Sequence, residues 1–461
     1  MTATQPAQVD VLPLTPLQEG LLFHALYEHE QDAQDVYLVQ LVFELDGTVD
    51  AARLRAAAQA LLDRHPTLRA AFRRRRGGQP VQVVPRRAVL PWTETDLTGP
   101  DPDSDSDTGT GTDTGIEAAW ARLLDEDRER GFDPATPPLI RCTLARTGQG
   151  RHRLLVTHHH ILLDGWSVSV LLRELLALYE AGGDPAALPP APPYRTFLDW
   201  LGRRDRTAAE TAWREALAAV AEPTRLAPHA PDGRSSGELA QARTELPART
   251  GEALTTLARD LGVTANTLVQ TAWAILLSRT TGNDDIVFGA TVSGRPAELP
   301  GVESMVGLFI NTVPTRVRLR PDEPLSGLLR RVQAGYVRLL DHHHLGLADI
   351  QRAVGVPELF DTLVVFENYP MDEAATNRGD GLQVVGTGGR DATHYPVTLV
   401  ALPGPRPRFR LAYRPDLFDA DWAHATLDRL VRLLETMAAD PELPLGRLGL
   451  AARDDEHRDP T

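Results

Sequence analysis

Cysteine is nearly missing from this chain: 461 residues include one, Cys142. No intrachain disulfide can form, an oxidising compartment is not implied, and the cytosol is the expected location. An excess of positive charge is missing too. Sixty-three acidic residues outnumber 48 basic ones, a formal charge of -15, which argues against nucleic-acid or anionic-membrane binding, since both require a dominant positive field. No uninterrupted apolar run approaches the roughly 18 residues of a spanning helix, and the opening MTATQPAQVD has neither the basic nor the apolar region of a secretory signal. What is present is the composition of a folded globular protein, 42% apolar and 24% charged, in a chain long enough for two or three domains. Small molecules or other proteins are the expected partners.

Two stretches interrupt the pattern. Asp101 to Gly115, DPDSDSDTGTGTDTG, cannot bury apolar surface and reads as a surface loop. Gly182 to Pro193, GGDPAALPPAPP, carries five prolines after a strong helical pattern and reads as a linker between two lobes, 1–181 and 194–461. In the first lobe, Val36 to Leu45 and Arg153 to Thr157 read as strands and Ala51 to Asp63 and Ser167 to Glu180 as helices. In the second, helices are expected over Thr207 to Val220, Gly251 to Asp260, Ala265 to Arg279, Pro324 to Leu340 and Asp421 to Ala438. Strands are expected at Ile286 to Val292, Thr362 to Phe366, Val397 to Leu402 and Phe409 to Tyr413. Strands and helices mixed in both halves give an α/β or α+β sandwich in each lobe, and a cleft is the natural place for a site.

One string carries chemistry. Val156 to Ser167 reads VTHHHILLDGWS and contains H-H-x-x-x-D-G at His159, His160, Asp164 and Gly165, a coincidence of about one in several hundred for this composition. Strand alternation puts Leu154, Val156, His158 and His160 on one face and Thr157 and His159 on the other, so His160 emerges where the strand stops and Asp-Gly turns the chain. An imidazole, which titrates near neutrality, can take a proton from an attacking amine or hydroxyl and pass it on. His160 is the catalytic candidate. Asp164 either orients that ring or holds the loop by pairing with an arginine, for which Arg69 in Arg64-His65-Pro66-Thr67-Leu68-Arg69 is the expected partner. The plainer alternative is a solvated histidine cluster at a strand end.

The string resembles the signature of the condensation domains of nonribosomal peptide synthetases, relatives of chloramphenicol acetyltransferase. Further motifs of that family occur in order: LTPLQEG at Leu14 to Gly20, RHPTLRAAF at Arg64 to Phe72, YRTFLDW at Tyr194 to Trp200, GLFINTV at Gly307 to Val313 and YRPDL at Tyr413 to Leu417. Together they span about residue 10 to about residue 440. The resemblance implies two acetyltransferase-like lobes in a V-shaped pseudo-dimer with His160 in a tunnel between them. It makes His159, Asp164 and Gly165 structural and Arg69 the partner of Asp164, and it places Ser293, Asn311 and Trp166 at the tunnel, Trp166 reading on its own residue type as a packing anchor. The segment from Phe366 to about His394 becomes a latch onto the first lobe, and a floor loop is expected as well. A carrier protein would bring the acyl donor on a phosphopantetheine arm, the chain itself binding no cofactor and no metal.

Related activities fit less well. Epimerases of the superfamily carry a glutamate in E-G-H-G-R-E, where this chain has Val292-Ser293-Gly294-Arg295. Heterocyclising relatives replace the histidines by aspartates, and coenzyme A-dependent relatives carry a D-F-G-W-G motif absent here. A recruitment platform without catalysis usually has a degraded histidine motif. His342-His343-His344 lacks the partners of a metal site and reads as a polar loop, and Arg73 to Arg76 as a solvated turn or a contact for an acidic carrier protein. The chain has no adenylation motif and no L-G-G-x-S carrier attachment site; its Met1 start and polar tail read as native ends. A free-standing, monomeric enzyme similar to those of enediyne pathways is expected. It would act on a carrier protein in trans, with a small-molecule or carrier-bound amine or alcohol as acceptor and an amide or ester as product.

Overall fold

The computed structural model describes residues 9–30, 36–99, 113–227, 239–368 and 382–448. Most of the expected low-complexity loop (101–112), part of the expected latch (369–381) and the tail after 448 lie outside them.

The chain forms two compact units. The first contains β1 (Asp10–Leu12), α1 (Pro16–Glu30), β2 (Leu38–Asp46), α2 (Ala51–Arg64), β3 (Ala71–Arg74), β4 (Pro80–Val84) and β5 (Trp92–Asp96). It continues with α3 (Asp113–Glu129), β6 (Ile140–Gly148), β7 (Arg151–His159), α4 (Gly165–Glu180) and α5 (Tyr194–Leu201). A late strand, β12 (Gln383–Arg390), also belongs to it and pairs with β2, giving a sheet of order β12-β2-β7-β6-β5, antiparallel except between β5 and β6. A second small sheet runs β1-β4-β3.

Period-two alternation along β7 sorts its side chains as the sequence predicts. Leu154 joins the main apolar core with Leu54 and Leu61 of α2 and Leu172 and Leu175 of α4, while Leu155 packs on the opposite face with Trp120 and Leu124 of α3. That second face also holds a polar row. Gln40, Thr157 and Arg141 lie side by side across β2, β7 and β6 and converge on Asp127 of α3, which is fully buried. Its carboxylate accepts from Arg141 Nε at 2.7 Å, Thr157 Oγ1 at 2.6 Å, Gln40 Nε2 at 3.2 Å and Arg130 Nη2 at 2.7 Å. Burial alone would raise the Asp127 pKa; Arg141 and the hydroxyl and amide donors outweigh it and hold the group below its usual range.

The second unit contains α6 (Arg206–Ala216), β8 (Ala240–Glu245), α7 (Ala248–Leu261), α8 (Ala265–Thr281), β9 (Asp285–Val292), β10 (Asn311–Arg318) and α9 (Leu325–Leu339). After these come α10 (Leu347–Val354), β11 (Thr362–Phe366), β13 (Val397–Leu402), β14 (Arg408–Tyr413) and α11 (Ala420–Ala439). Its sheet runs β10-β9-β11-β13-β14-β8, with β11 parallel to both neighbours. Helix α8 shows no single apolar face because it is buried on all sides from Thr267 to Ser278. Helix α6 stops at Ala216, short of the expected Val220, because the chain turns there and Ala219 adopts φ 66°. Among the described residues no single helix is long and apolar enough to cross a membrane.

The expected boundary at 182–193 is corrected. The first unit continues to Arg204 and also takes Ser293–Ile310 and the stretch ending at Thr393. Helix α5 stays with it because Tyr194 Oη donates to Leu308 O at 2.6 Å and the Tyr194 and Phe197 rings pack on Phe309 at 5.1 and 4.5 Å. The prolines mark an extended surface stretch ahead of a packed helix. Helix α3 likewise begins at Asp113, inside the run expected to be a loop through Gly115.

Asp127→Ala would leave Arg141 buried without its counter-charge. A loss of about 3–5 kcal/mol is expected in urea unfolding, against less than about 1 kcal/mol for Arg130→Ala, whose side chain is half exposed.

Candidate active site

The end of β7 and the turn into α4 are fixed by backbone bonds. His159 N donates to Leu139 O at 3.0 Å, His160 N to Tyr37 O at 2.8 Å, Leu162 N to His159 O at 3.1 Å and Asp164 N to Gly307 O at 3.2 Å. Three consecutive histidines thereby meet three environments. His158 is 2% exposed and His159 0%, whereas His160, the first residue past the strand, is half-buried. His159 Nδ1 accepts from Ile161 N at 3.0 Å and so supports the turn. The His160 ring has no hydrogen-bond partner among the described residues; its Nδ1 is buried, which leaves Nε2 as the accessible nitrogen. That is the arrangement of a proton acceptor waiting for an external donor.

Asp164 does not act on that ring. It is 1% exposed and caps α4, its Oδ1 accepting from Ser167 N at 2.9 Å and Ser167 Oγ at 2.8 Å, while Oδ2 accepts from Phe309 N at 3.1 Å. Its ionic partner is Arg295, with Nη2 at 3.1 Å from Oδ1. The expected pairing with Arg69 is therefore corrected. Arg69 ends a short 3-10 turn that folds back over the C-terminus of α2, where it donates to the carbonyls of Leu62 and Asp63 and to Pro85 O. Helix-end carbonyls lack internal donors, and a guanidinium held there is no longer free for a carboxylate elsewhere. The rest of RHPTLR is scaffold too: Arg64 and His65 bind Glu174 of α4 at 2.8 and 2.7 Å, and Thr67 Oγ1 donates to Val306 O at 3.0 Å.

In the sequence Arg295 stands only as the last residue of Val292-Ser293-Gly294-Arg295, the stretch where epimerases carry a glutamate. The guanidinium donates to Val302 O and Met305 O and to Ser167 Oγ, and its carbon lies 3.8 Å from the Phe309 ring centre and 5.5 Å from that of Trp166. Burial pulls its pKa down, and Asp164 opposes the shift. The close approach explains two glycines: a Cβ at Gly294 would lie 2.0 Å from Phe309 O, and one at Gly307 would lie 2.3 Å from the Tyr194 ring. Nothing in the sequence singles Arg295 out: the contact that keeps Gly294 a glycine exists only once Phe309 O is in place.

The other expected site residues divide. Gly165 is the first residue of α4. Trp166 Nε1 donates to Glu303 O at 2.8 Å, which, with the stacked Arg295, makes it an anchor for the 293–310 segment. Ser293 is exposed in the first unit, its Oγ accepting from Arg295 N. Asn311 belongs to the second unit and is buried there, Nδ2 donating to His343 O and Leu345 O at 2.8 Å each. His343 is buried between Trp213 and Tyr336, and burial and its histidine neighbours push it down to about 4. No group able to hold a metal ion occurs among the described residues. Arg73 to Arg76 form an exposed β3–β4 hairpin.

His158 faces the main core of the first unit. It lines an apolar cavity of about 60 Å³ with Leu154, Leu163, Val168 and Leu172, and its Nε2 has no partner. Burial, then the neighbouring His160, pushes its pKa down to about 3.

Strand β7 of a five-stranded sheet ends in the H-H-x-x-x-D-G turn, within a mixed α/β fold of two units. The condensation-domain family model matches residues 8–458, and the chain belongs to that family, whose members are acyltransferases working on carrier-protein-bound substrates. It is 36% identical over 440 residues to chondramide synthase of Chondromyces crocatus, covering 86% of this chain and 11% of that protein. It is 32% identical over 448 residues to tyrocidine synthase 2 of Brevibacillus parabrevis, covering 96% of this chain and 12% of that one. The chain thus spans about a tenth of the length of these relatives. Its fold matches the starter condensation domain of rhizomide synthetase, solved with C8-CoA and Leu-SNAC, at a TM-score of 0.77 and 20% identity over 96% of this chain and 98% of the other. The first condensation domain of the calcium-dependent antibiotic synthetase, solved with a substrate analogue, matches at 0.73 and 22% over 95% and 98%.

Two outcomes follow. Arg295→Ala and Asp164→Ala are each expected to cost about 3–5 kcal/mol, and the double variant much less than their sum, as a double-mutant cycle in urea would read. A buried histidine with a depressed pKa leaves the unfolded chain binding more protons, so its stabilising contribution is complete above pH 6.5 and falls away towards pH 3. Between pH 7.5 and 5 the wild type is expected to lose about 2 kcal/mol more than His158→Phe, whose ring the adjoining cavity can accommodate.

Proposed function

We propose that this chain transfers an aminoacyl or peptidyl group from the phosphopantetheine thioester of a carrier protein to an amine or alcohol, acting in the cytosol as a monomer, with His160 as the catalytic residue. The observation that carries the proposal is the sorting of the three histidines: His160 alone combines an accessible ring nitrogen with a backbone fixed on both sides. None of the 461 residues forms an L-G-G-x-S attachment site, so the arm belongs to a carrier segment outside them.

The acceptor N–H or O–H lies against His160 Nε2 as its heteroatom attacks the thioester carbonyl. The proton moves to the imidazole, the tetrahedral intermediate collapses, the C–S bond breaks, and the same proton passes to the leaving thiolate. The products are an amide or ester and a free pantetheine thiol. A neutral amine attacks a thioester readily, so for amines His160 chiefly positions the nucleophile and stabilises the intermediate; an alcohol needs base assistance during attack. Asp164 and Arg295 contribute by holding the turn. Ser293, exposed in the first unit, is proposed to face the substrate path.

The test is mass spectrometry of acyl transfer from aminoacyl thioesters, loaded on a carrier protein or on a short pantetheine mimic, to amines and vicinal diols. His160→Ala is expected to lower ester formation by about 10²–10⁴-fold and amide formation less. Equal losses for both acceptors would remove the base role, and product formed equally well without His160 would reject the proposal.

A further inference from the structure

Gln18 stands in LTPLQEG, a motif whose place in the sequence gives it no chemical role, yet it is 1% exposed and makes four hydrogen bonds. Thr15 and Gln18 form a reciprocal capping box at the start of α1: Gln18 N donates to Thr15 Oγ1 at 3.3 Å, and Thr15 N donates to Gln18 Oε1 at 2.9 Å. Gln82 Nε2 of β4 donates to the same Oε1 at 2.9 Å and is itself held by Pro13 O at 2.8 Å. Two donors on Oε1 settle which end of the amide is which. Nε2 must point the other way, and it donates at 3.0 Å to the carbonyl of Ile161, 143 residues along the chain and directly after His160.

We propose that Gln18 is a positioning residue for the transfer reaction: its amide ties the capping box of α1 to the Ile161 carbonyl and so fixes the turn that presents His160. This inference rests on the catalytic reading of His160. The geometry explains why the position holds an amide. Glutamate serves a capping box as well as glutamine does, but at position 18 it would turn a carboxylate oxygen onto the Ile161 carbonyl oxygen. Every hydrogen-bond partner of Gln18 is neutral, so none of them supplies a positive charge to hold that carboxylate ionised. Once protonated it could donate to Ile161 O as the amide does.

Gln18→Glu therefore separates the two roles. Steady-state transfer from an aminoacyl carrier protein at varied concentration is followed from pH 6 to 8.5 for wild type, Gln18→Glu and His160→Ala, together with thermal melting. The expected result for Gln18→Glu at pH 8 is a fall in kcat of about tenfold or more with KM within about twofold. Its ratio to wild type recovers towards pH 6, at a melting temperature close to wild type. Unchanged kcat at every pH, or a pH-independent loss that follows the melting temperature, overturns the proposal. Should Gln18→Glu not fold, Gln82→Leu decides: faster hydrogen exchange at the Ile161 and Leu162 amides with about three- to tenfold lower kcat supports positioning, and unchanged exchange and kcat overturn it. If His160→Ala turns over as wild type, the catalytic reading of His160 has failed. The exchange arm then still reports whether Gln18 fixes the turn.

Discussion

A carboxylate taken out of water destabilises a fold unless every oxygen finds a donor, and Asp164 meets that requirement with groups from three places. Ser167 donates from the first turn of α4, Arg295 supplies the counter-charge, and Phe309 N closes on the second oxygen. The helix N-terminus adds its own positive end to the same site. Because these donors come from segments more than 120 residues apart, satisfying one side chain also sets where the 293–310 segment lies against the turn within the first unit. Tyr194, Trp166 and Gly294 take their positions from the same convergence.

Environment then follows from position on a strand. His158, His159 and His160 are chemically identical, and β7 distributes them by alternation and by where it ends. The first faces an apolar cavity and stays neutral, the second braces the turn through Nδ1, and the third stands beyond the last sheet pairing with a nitrogen open to an external partner. The residues around His160 hold backbone, so the site is built by rigid support from β2, β6 and α4 and leaves the ring itself unbonded.

The sequence carried much of this. Thr362–Phe366 and Val397–Leu402 are strands over the expected residues, and α2, α4, α8 and α11 lie within two residues of their expected ends, because no proline interrupts the helices and, outside the uniformly buried α8, their apolar residues recur at helical spacing. The emergence of His160 at a strand end needed only alternation. What escaped were features that depend on distant segments. The partner of Asp164 could not be chosen among the chain's arginines without knowing that Arg69 sits over a helix end. The unit boundary could not be placed by prolines when aromatic packing of Tyr194 and Phe197 overrode them. Gln18 lay in a quoted motif, but its link to Ile161 spans most of the first unit's sequence.

Strand β12 and the 293–310 segment have a genealogical corollary. The chain passes between the two units five times, so the first unit receives an edge strand and the counter-charge of its own aspartate from stretches encoded after much of the second. No single crossover between two homologous genes within this region can exchange one unit intact. A single crossover that leaves both units whole has to fall outside the span they share, which makes that span the natural unit of exchange.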